Sequence, residues 1–238
     1  MTTRSPALRS PLLTMTARNV LLAHWPVDPE SIRRRVPYPL ELAVRDETAW
    51  LSVVAFLADR LGVRGLSHLP GRTFPELRLQ TYVRHRGHEG RYLFSVDAGD
   101  HLLAPLFRHS SAVPYVASDA TFEYVDEGFR FRSDRRRVGA PSATFDATYA
   151  PKLDSLDAGD TELDRWLAEH GRVFGAAGGS LRSLDIHRNV PVFAPATATI
   201  DENELFAAAG LSGPDTEPLL RFCSSWPMRA SMPLPVRA

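Results

Sequence analysis

Lysine and cysteine are nearly missing from this 238-residue chain: Lys152 and Cys223 are the only residues of their kinds. A single cysteine excludes an intrachain disulfide and a thiolate metal cluster, which suits a reducing compartment, and a cytoplasmic location is expected. A single lysine leaves one candidate for imine chemistry. The other 27 basic residues are arginines, which stay protonated and serve as planar anion clamps rather than nucleophiles.

Net charge is missing too. Twenty-eight basic side chains balance 28 acidic ones, so no overall field attracts nucleic acid or an anionic membrane, and neither is expected as a partner. The clusters Arg33-Arg34-Arg35 and Arg135-Arg136-Arg137 lack the interleaved aromatics of single-strand binders and read as solvated faces. No apolar run is long enough to span a bilayer, and Pro11-Leu12-Leu13, behind Arg4 and Arg9, is too short for a secretory signal.

The common catalytic signatures are absent as well: no phosphate loop, no dinucleotide fingerprint, no HExxH and no nucleophile elbow. Gly175 to Gly179 lacks a following lysine and reads as a flexible turn. The eight histidines show no metal-ligand spacing, so no metal or organic cofactor is expected. His187 differs from the rest, because Asp185-Ile186-His187 sets two ionisable groups on one strand face as a possible proton-transfer pair.

What is present is a two-faced strand. Glu76, Arg78, Gln80, Tyr82 and Arg84 alternate with Leu77, Leu79, Thr81 and Val83, the period of two of a strand with unlike faces. Pro75–Arg86, the turn Gly87–Gly90 and Arg91–Asp97 predict a hairpin, and Pro114 predicts an extended corner. Further strands are expected over 19–25, 48–57, 121–125, 129–133, 144–149, 181–187 and 192–200, with a hairpin of 41–44 against 48–57 and a loop over 60–73. Short helices are expected after the caps Asp28, Asp100 and Thr161, and over 201–209. The fold class is mainly β (α+β): a loose tail over residues 1–13, one β-barrel domain over 14–210, and a proline-rich, draped or mobile tail over 211–238.

The blocks PELRLQTYVR (75–84), GRYLFSVDAGD (90–100), Arg108, Val113-Pro114-Tyr115 and DIHRNVP (185–191) carry a resemblance. Over roughly residues 16–210 the chain resembles the bacterial proteins grouped as domain of unknown function 2071. That family in turn is similar to the acetoacetate decarboxylases. The resemblance implies a closed, cone-like antiparallel β-barrel with a central ligand cavity, and assembly into a homo-oligomer. Glu76 matches the decarboxylases' cavity glutamate. Where they carry glycine, any residue, proline and two lysines, this chain reads Ala112-Val113-Pro114-Tyr115-Val116. Tyrosine replaces the imine-forming lysine and valine its electrostatic helper. A phenol of reference pKa near 10 makes no imine, which excludes covalent decarboxylation at this position.

Two functions follow as expectations. In the first, the barrel is an enzyme doing noncovalent acid-base chemistry, of lyase, dehydratase or isomerase type, on a carboxylate- or carbonyl-bearing small molecule. Arg78 anchors the ligand with Gln80, Tyr82 and Arg108, Tyr115 or Tyr82 donates a hydrogen bond, and Glu76 or His187 moves the proton. In the second, the barrel only binds or senses its ligand. A third arrangement, with the polar face of 76–84 in solvent, would leave no site there.

Overall fold

The computed structural model describes residues 11–65, 71–111, 113–136, 139–152, 161–177, 179–189 and 191–237. In chain order the elements are β1 (Leu13–Val27), α1 (Pro29–Arg33), β2 (Glu41–Leu42), β3 (Ala49–Val63), β4 (Arg72–His85), β5 (His88–Ala98), α2 (Leu103–Ser111) and β6 (Tyr115–Ala117). There follow β7 (Asp119–Val125), β8 (Gly128–Arg135), β9 (Ala143–Pro151), α3 (Glu162–Glu169), β10 (Arg172–Ala177), β11 (Ser180–His187), β12 (Ala194–Asn203), α4 (Leu205–Ala208), β13 (Leu219–Ala230) and β14 (Leu234–Pro235).

These strands make one large curved sheet, along which β11-β10-β5-β4-β3-β1-β13 are successive neighbours. Ile186 and His187 of β11 also pair with Ala230 and Arg229 of β13, which joins those seven strands into a ring. β5 and β10 run parallel, so the expectation of a wholly antiparallel barrel is corrected at that junction. Bulges curl the long strands; Asn19 (φ 50°) and Arg60 (φ 54°) lie within two of them.

The period of two assigns the two sides of β4. Leu77 and Leu79 pack outward with Leu21, Leu51 and Val53 against Phe131, Phe145 and Tyr149 of β8 and β9. Each such fully buried side chain contributes about 1.5–3 kcal/mol of hydrophobic stabilisation. Inside the ring, Phe56, Val20, Cys223, Trp226 and Met228 form a second apolar cluster.

Several boundaries differ from expectation. The tight turn of the β4–β5 hairpin is Arg86-Gly87 (φ 51° and 79°), a two-residue connection that suits the twist of the strands, rather than 87–90. β2 pairs with β4, not β3. Gly175 lies within β10, and its segment continues the sheet. Of the expected 60–73 loop, 60–63 extend β3 and 72–73 begin β4, while 66–70 lie outside the described residues. Residues 1–10 of the expected tail also lie outside, but Leu12 donates to the Ala230 carbonyl and Leu13 starts β1. The expected C-terminal tail is corrected too: Leu219–Ala230 pairs with β1 over eleven positions and is an integral ring strand, its apolar Phe222, Cys223, Trp226 and Met228 buried.

Candidate functional site

A cavity of about 70 Å³ lies inside the ring, walled by Leu93, Val96, Val173, Leu184, Ile186 and Met228, with Arg78 and Tyr115 as its polar members. The pleat of β4 turns Glu76 and Arg78 to this inner side, and Glu76 is 1% exposed. Arg78 Nε and Nη2 each lie 2.6 Å from Glu76 Oε1. Tyr115, held at the Pro114 corner by parallel pairing with Val96 and by a ring contact with Phe107, donates from its hydroxyl to Glu76 Oε2 at 3.4 Å. Phe56 covers the far side of the Arg78 guanidinium at 4.8 Å.

This surrounding fixes charge states. Burial, helped by the adjacent Glu76 carboxylate, pushes the Tyr115 phenol far above its ordinary value, so it remains a proton donor across the physiological range. Burial works against the charged Arg78, yet Glu76 and Tyr115 outweigh it and hold the guanidinium above its ordinary value.

Four residues beyond Arg78 along β4, Tyr82 is buried beside Ser52 and His24. Ser52 Oγ lies 3.0 Å from the Tyr82 hydroxyl and 2.7 Å from His24 Nδ1. Trp166 and His170, brought over by α3, pack at a tilt against the Tyr82 ring, with centroids 4.9 and 5.1 Å away. α3 is fixed by a capping box between Thr161 and Asp164, and Arg221 of β13 grips Asp164 at 2.7 Å. Burial raises the Tyr82 phenol and lowers His24 to about 3, so that imidazole stays neutral. Gln80 is buried between these groups, its Oε1 without a hydrogen-bond partner among the described residues.

The structure thus brings Glu76, Arg78, Gln80, Tyr82 and Tyr115 together and leaves two expected residues apart. Arg108 is exposed on α2 and lines a separate cleft of about 210 Å³ with Pro114 and Arg135. His187 lines an open cleft of about 930 Å³ outside the small cavity. Its expected partner Asp185 is engaged by Arg172 at 2.8 Å. Alternation explains the miss: on β11, 185 and 187 share one face, while Ile186 faces the inner cavity and the next residue in that phase is Arg188.

Arg188 and Arg91 are the functional candidates that the sequence reading missed. Arg91 stands directly across from Tyr82 in the hairpin, but a turn placed at 87–90 hides that register. The signal that locates it is the Arg86-Gly87 dipeptide. Among the described residues, no group of three or more His, Cys, Asp or Glu is placed to hold a metal ion. No helix among them is long and apolar enough to cross a membrane.

Solved structures of similar fold share this architecture at low sequence identity. Acetoacetate decarboxylase from Legionella pneumophila matches with a TM-score of 0.68 at 14% identity, covering 99% of this chain and 93% of that one. The enduracididine biosynthesis enzyme MppR, complexed with the condensation product of pyruvate and imidazole 4-carboxaldehyde, matches at 0.65 and 13%, over 98% and 92%. An acetoacetate decarboxylase-like enzyme from Sphingomonas wittichii RW1 matches at 0.62 and 16%, over 97% and 95%. The fold is therefore acetoacetate-decarboxylase-like. In sequence, the uncharacterised protein YqjF of Bacillus subtilis is 36% identical over 225 residues, 92% of each chain. The DUF2071 profile, described as "Uncharacterized conserved protein", matches residues 14–227, and the chain belongs to that family.

Proposed function

We propose that this protein is a small-molecule enzyme that moves a proton on a carboxylate- or carbonyl-bearing metabolite held inside the ring, without an imine intermediate. The observation that carries this reading is the buried Glu76 carboxylate, held by Arg78 on one oxygen and facing the Tyr115 hydroxyl on the other, directly behind these two polar members of the cavity wall. Glu76 is the group that takes or returns the proton. Tyr115, kept protonated by its surroundings, donates to the oxygen on which negative charge develops. Arg78 orients Glu76 and offsets that charge, while Gln80 and Tyr82 shape the ligand's other end.

Imine chemistry has no support in this arrangement. Lys152 is exposed at the end of β9, on the part of the sheet outside the ring, and Tyr115 occupies the corner beside Glu76. MppR, of the same fold, is described with pyruvate-derived ligands, which favours small oxo acids as the first compounds to try.

A metabolite-binding screen on the purified protein, followed by product analysis for each hit, tests the reading. Conversion of a hit by the native protein, with turnover but not binding lost in Glu76→Gln and Tyr115→Phe, is the expected result. Hits that bind and are never converted would instead establish a binding or sensing barrel.

A further inference from the structure

Arg91 is 4% exposed, and its Nε and Nη2 have no hydrogen-bond partner among the described residues. It lies opposite Tyr82 on β5 and beside Val173 on β10, whose side chain lines the inner cavity. Arg188 enters at the end of β11, stacked at 3.8 Å on the Trp226 ring, with Nη2 on the Ala168 carbonyl at 2.7 Å. Neither makes an ion pair among the described residues, whereas Arg78 is matched by Glu76. His170 Nε2, across the Tyr82 ring, is a further buried atom without a hydrogen-bond partner among the described residues, while Nδ1 of the same ring lies 3.8 Å from Glu89 Oε2.

A buried guanidinium, Arg91, and a half-buried one, Arg188, without a carboxylate are costly, because desolvation penalises each and like charges add to the penalty. The strain is visible in their acidity. Burial first, and then the neighbouring Arg78, lowers Arg91 to about 10. Burial, followed by Arg91 and Arg78, lowers Arg188 well below its ordinary value. Such a pair is relieved by a bound anion.

We propose that Arg91 and Arg188, with His170 Nε2 beside them, form an anion subsite next to the Glu76–Arg78–Tyr115 group, and that the ligand of the ring is a small dianion. This inference rests on the reading that the ring interior takes an acidic metabolite, and it adds the second negative charge. A second anionic charge matches the two unpaired cations, whereas a monoanion leaves one uncompensated. The route in is consistent: the open cleft of about 930 Å³ is lined by Arg60, Arg188 and Arg229, with no carboxylate among its described lining residues. It shares Met15, Ile186 and Met228 as a wall with the inner cavity. A positive mouth of this kind concentrates anions.

Calorimetric titration of the full chain with malonate, inorganic phosphate and acetate, at one pH and fixed ionic strength, tests the subsite. Malonate or phosphate is expected to bind at least tenfold more tightly than acetate, and Arg91→Met or Arg188→Met to abolish that preference. Malonate ahead of phosphate assigns a dicarboxylic ligand; the reverse order assigns a phosphoryl group. Acetate binding as well as both dianions, or a preference that survives Arg91→Met, overturns the proposal. Because Arg91→Met removes an unpaired buried charge, the variant is expected to unfold at no lower denaturant than the native chain; marked destabilisation would show that Arg91 is satisfied internally and would also overturn it. Tyr115→Phe is expected to keep the dianion preference. Loss of turnover alone therefore bears on the acid-base reading, and loss of dianion preference alone on the subsite.

Discussion

Arg78 and Glu76 stand two residues apart on β4, so the pleat puts both on the inner face, where the guanidinium Nε lies 2.6 Å from Oε1 with both side chains buried. A pair of this kind is costly to break from one side. Glu76→Gln leaves Arg78 charged beside Arg91 and is expected to cost about 3–5 kcal/mol of stability. The double variant Glu76→Gln/Arg78→Met is expected to recover much of that loss. Urea denaturation of the four members of the cycle measures the coupling, and simple additivity would show that the two side chains are not one energetic unit.

Tyr115→Phe separates structure from chemistry. The hydroxyl reaches Glu76 at 3.4 Å, the long end of a hydrogen bond, so its removal is expected to cost less than about 1 kcal/mol of stability. Turnover of a substrate found by the screen is expected to fall about 100-fold or more, as for other preorganised donors to developing negative charge. Single-turnover rates beside a denaturation curve of the same variant check both halves.

Borohydride reduction in the presence of pyruvate is expected to leave the chain unmodified at its single lysine. Lys152 is exposed and lies far in sequence from the Tyr115 corner. Intact-mass spectrometry reads the result, and a reduced adduct on Lys152 would restore imine chemistry.

Acid is expected to weaken the fold through buried neutral histidines. Burial lowers His24 from its ordinary 6.5 to about 3, and burial with Arg91 lowers His170 to about 4. A folded pKa below the unfolded value means that the stabilisation is complete above pH 6.5 and is lost as pH falls toward those lower values, because only the unfolded chain takes up the proton. Each histidine adds a slope on the order of 1.4 kcal/mol per pH unit in that window. Asp97, raised by burial from 3.8 to about 6 despite its Arg135 partner, opposes them between about pH 4 and 6, since there the folded form keeps a proton that the unfolded form releases. Denaturation midpoints from pH 4 to 7 are expected to vary less steeply in His24→Gln and His170→Gln.

Gly90 sits where β5 meets β10. A Cβ there would lie 2.6 Å from Phe174 Cε2 and 2.9 Å from the Arg172 carbonyl oxygen. Gly90→Ala is therefore expected to lose more than about 1 kcal/mol by overpacking, and to slow closure of the ring at its parallel junction. Refolding rates and denaturation midpoints together check this, and a variant as stable as the native chain would show that β10 shifts freely.

The two-faced strand, the Arg86–Gly87 neighbourhood, the Thr161 and Asp28 caps and the Pro114 corner were all legible in sequence, because each depends on residues within a few positions of one another. Glu76, Arg78, Gln80 and Tyr82 were found together for the same reason: one strand carries all four. Arg91 was hidden by a turn misplaced by one or two residues, since a shift in register changes every partner across a hairpin. His187 carries the chemically more suggestive side chain, but strand phase turns its neighbour Arg188, not His187, to the side of Ile186 and the inner cavity. The prolines around β13 and its weak periodicity hide a strand that gains its burial only in the tertiary structure, from β1, β11 and β12.

The sequence by itself determined that the chain carries one lysine, Lys152, that a two-faced strand exists, and which family the blocks resemble. Only the tertiary structure decided that the side of that strand carrying Glu76 and Arg78 is buried, and that Arg91 of β5 is buried opposite Tyr82 without an ion-pair partner among the described residues. The reason is physical: the ring closes between β11 and β13, more than forty residues apart, and which strand face is enclosed depends on those distant pairings rather than on local pattern.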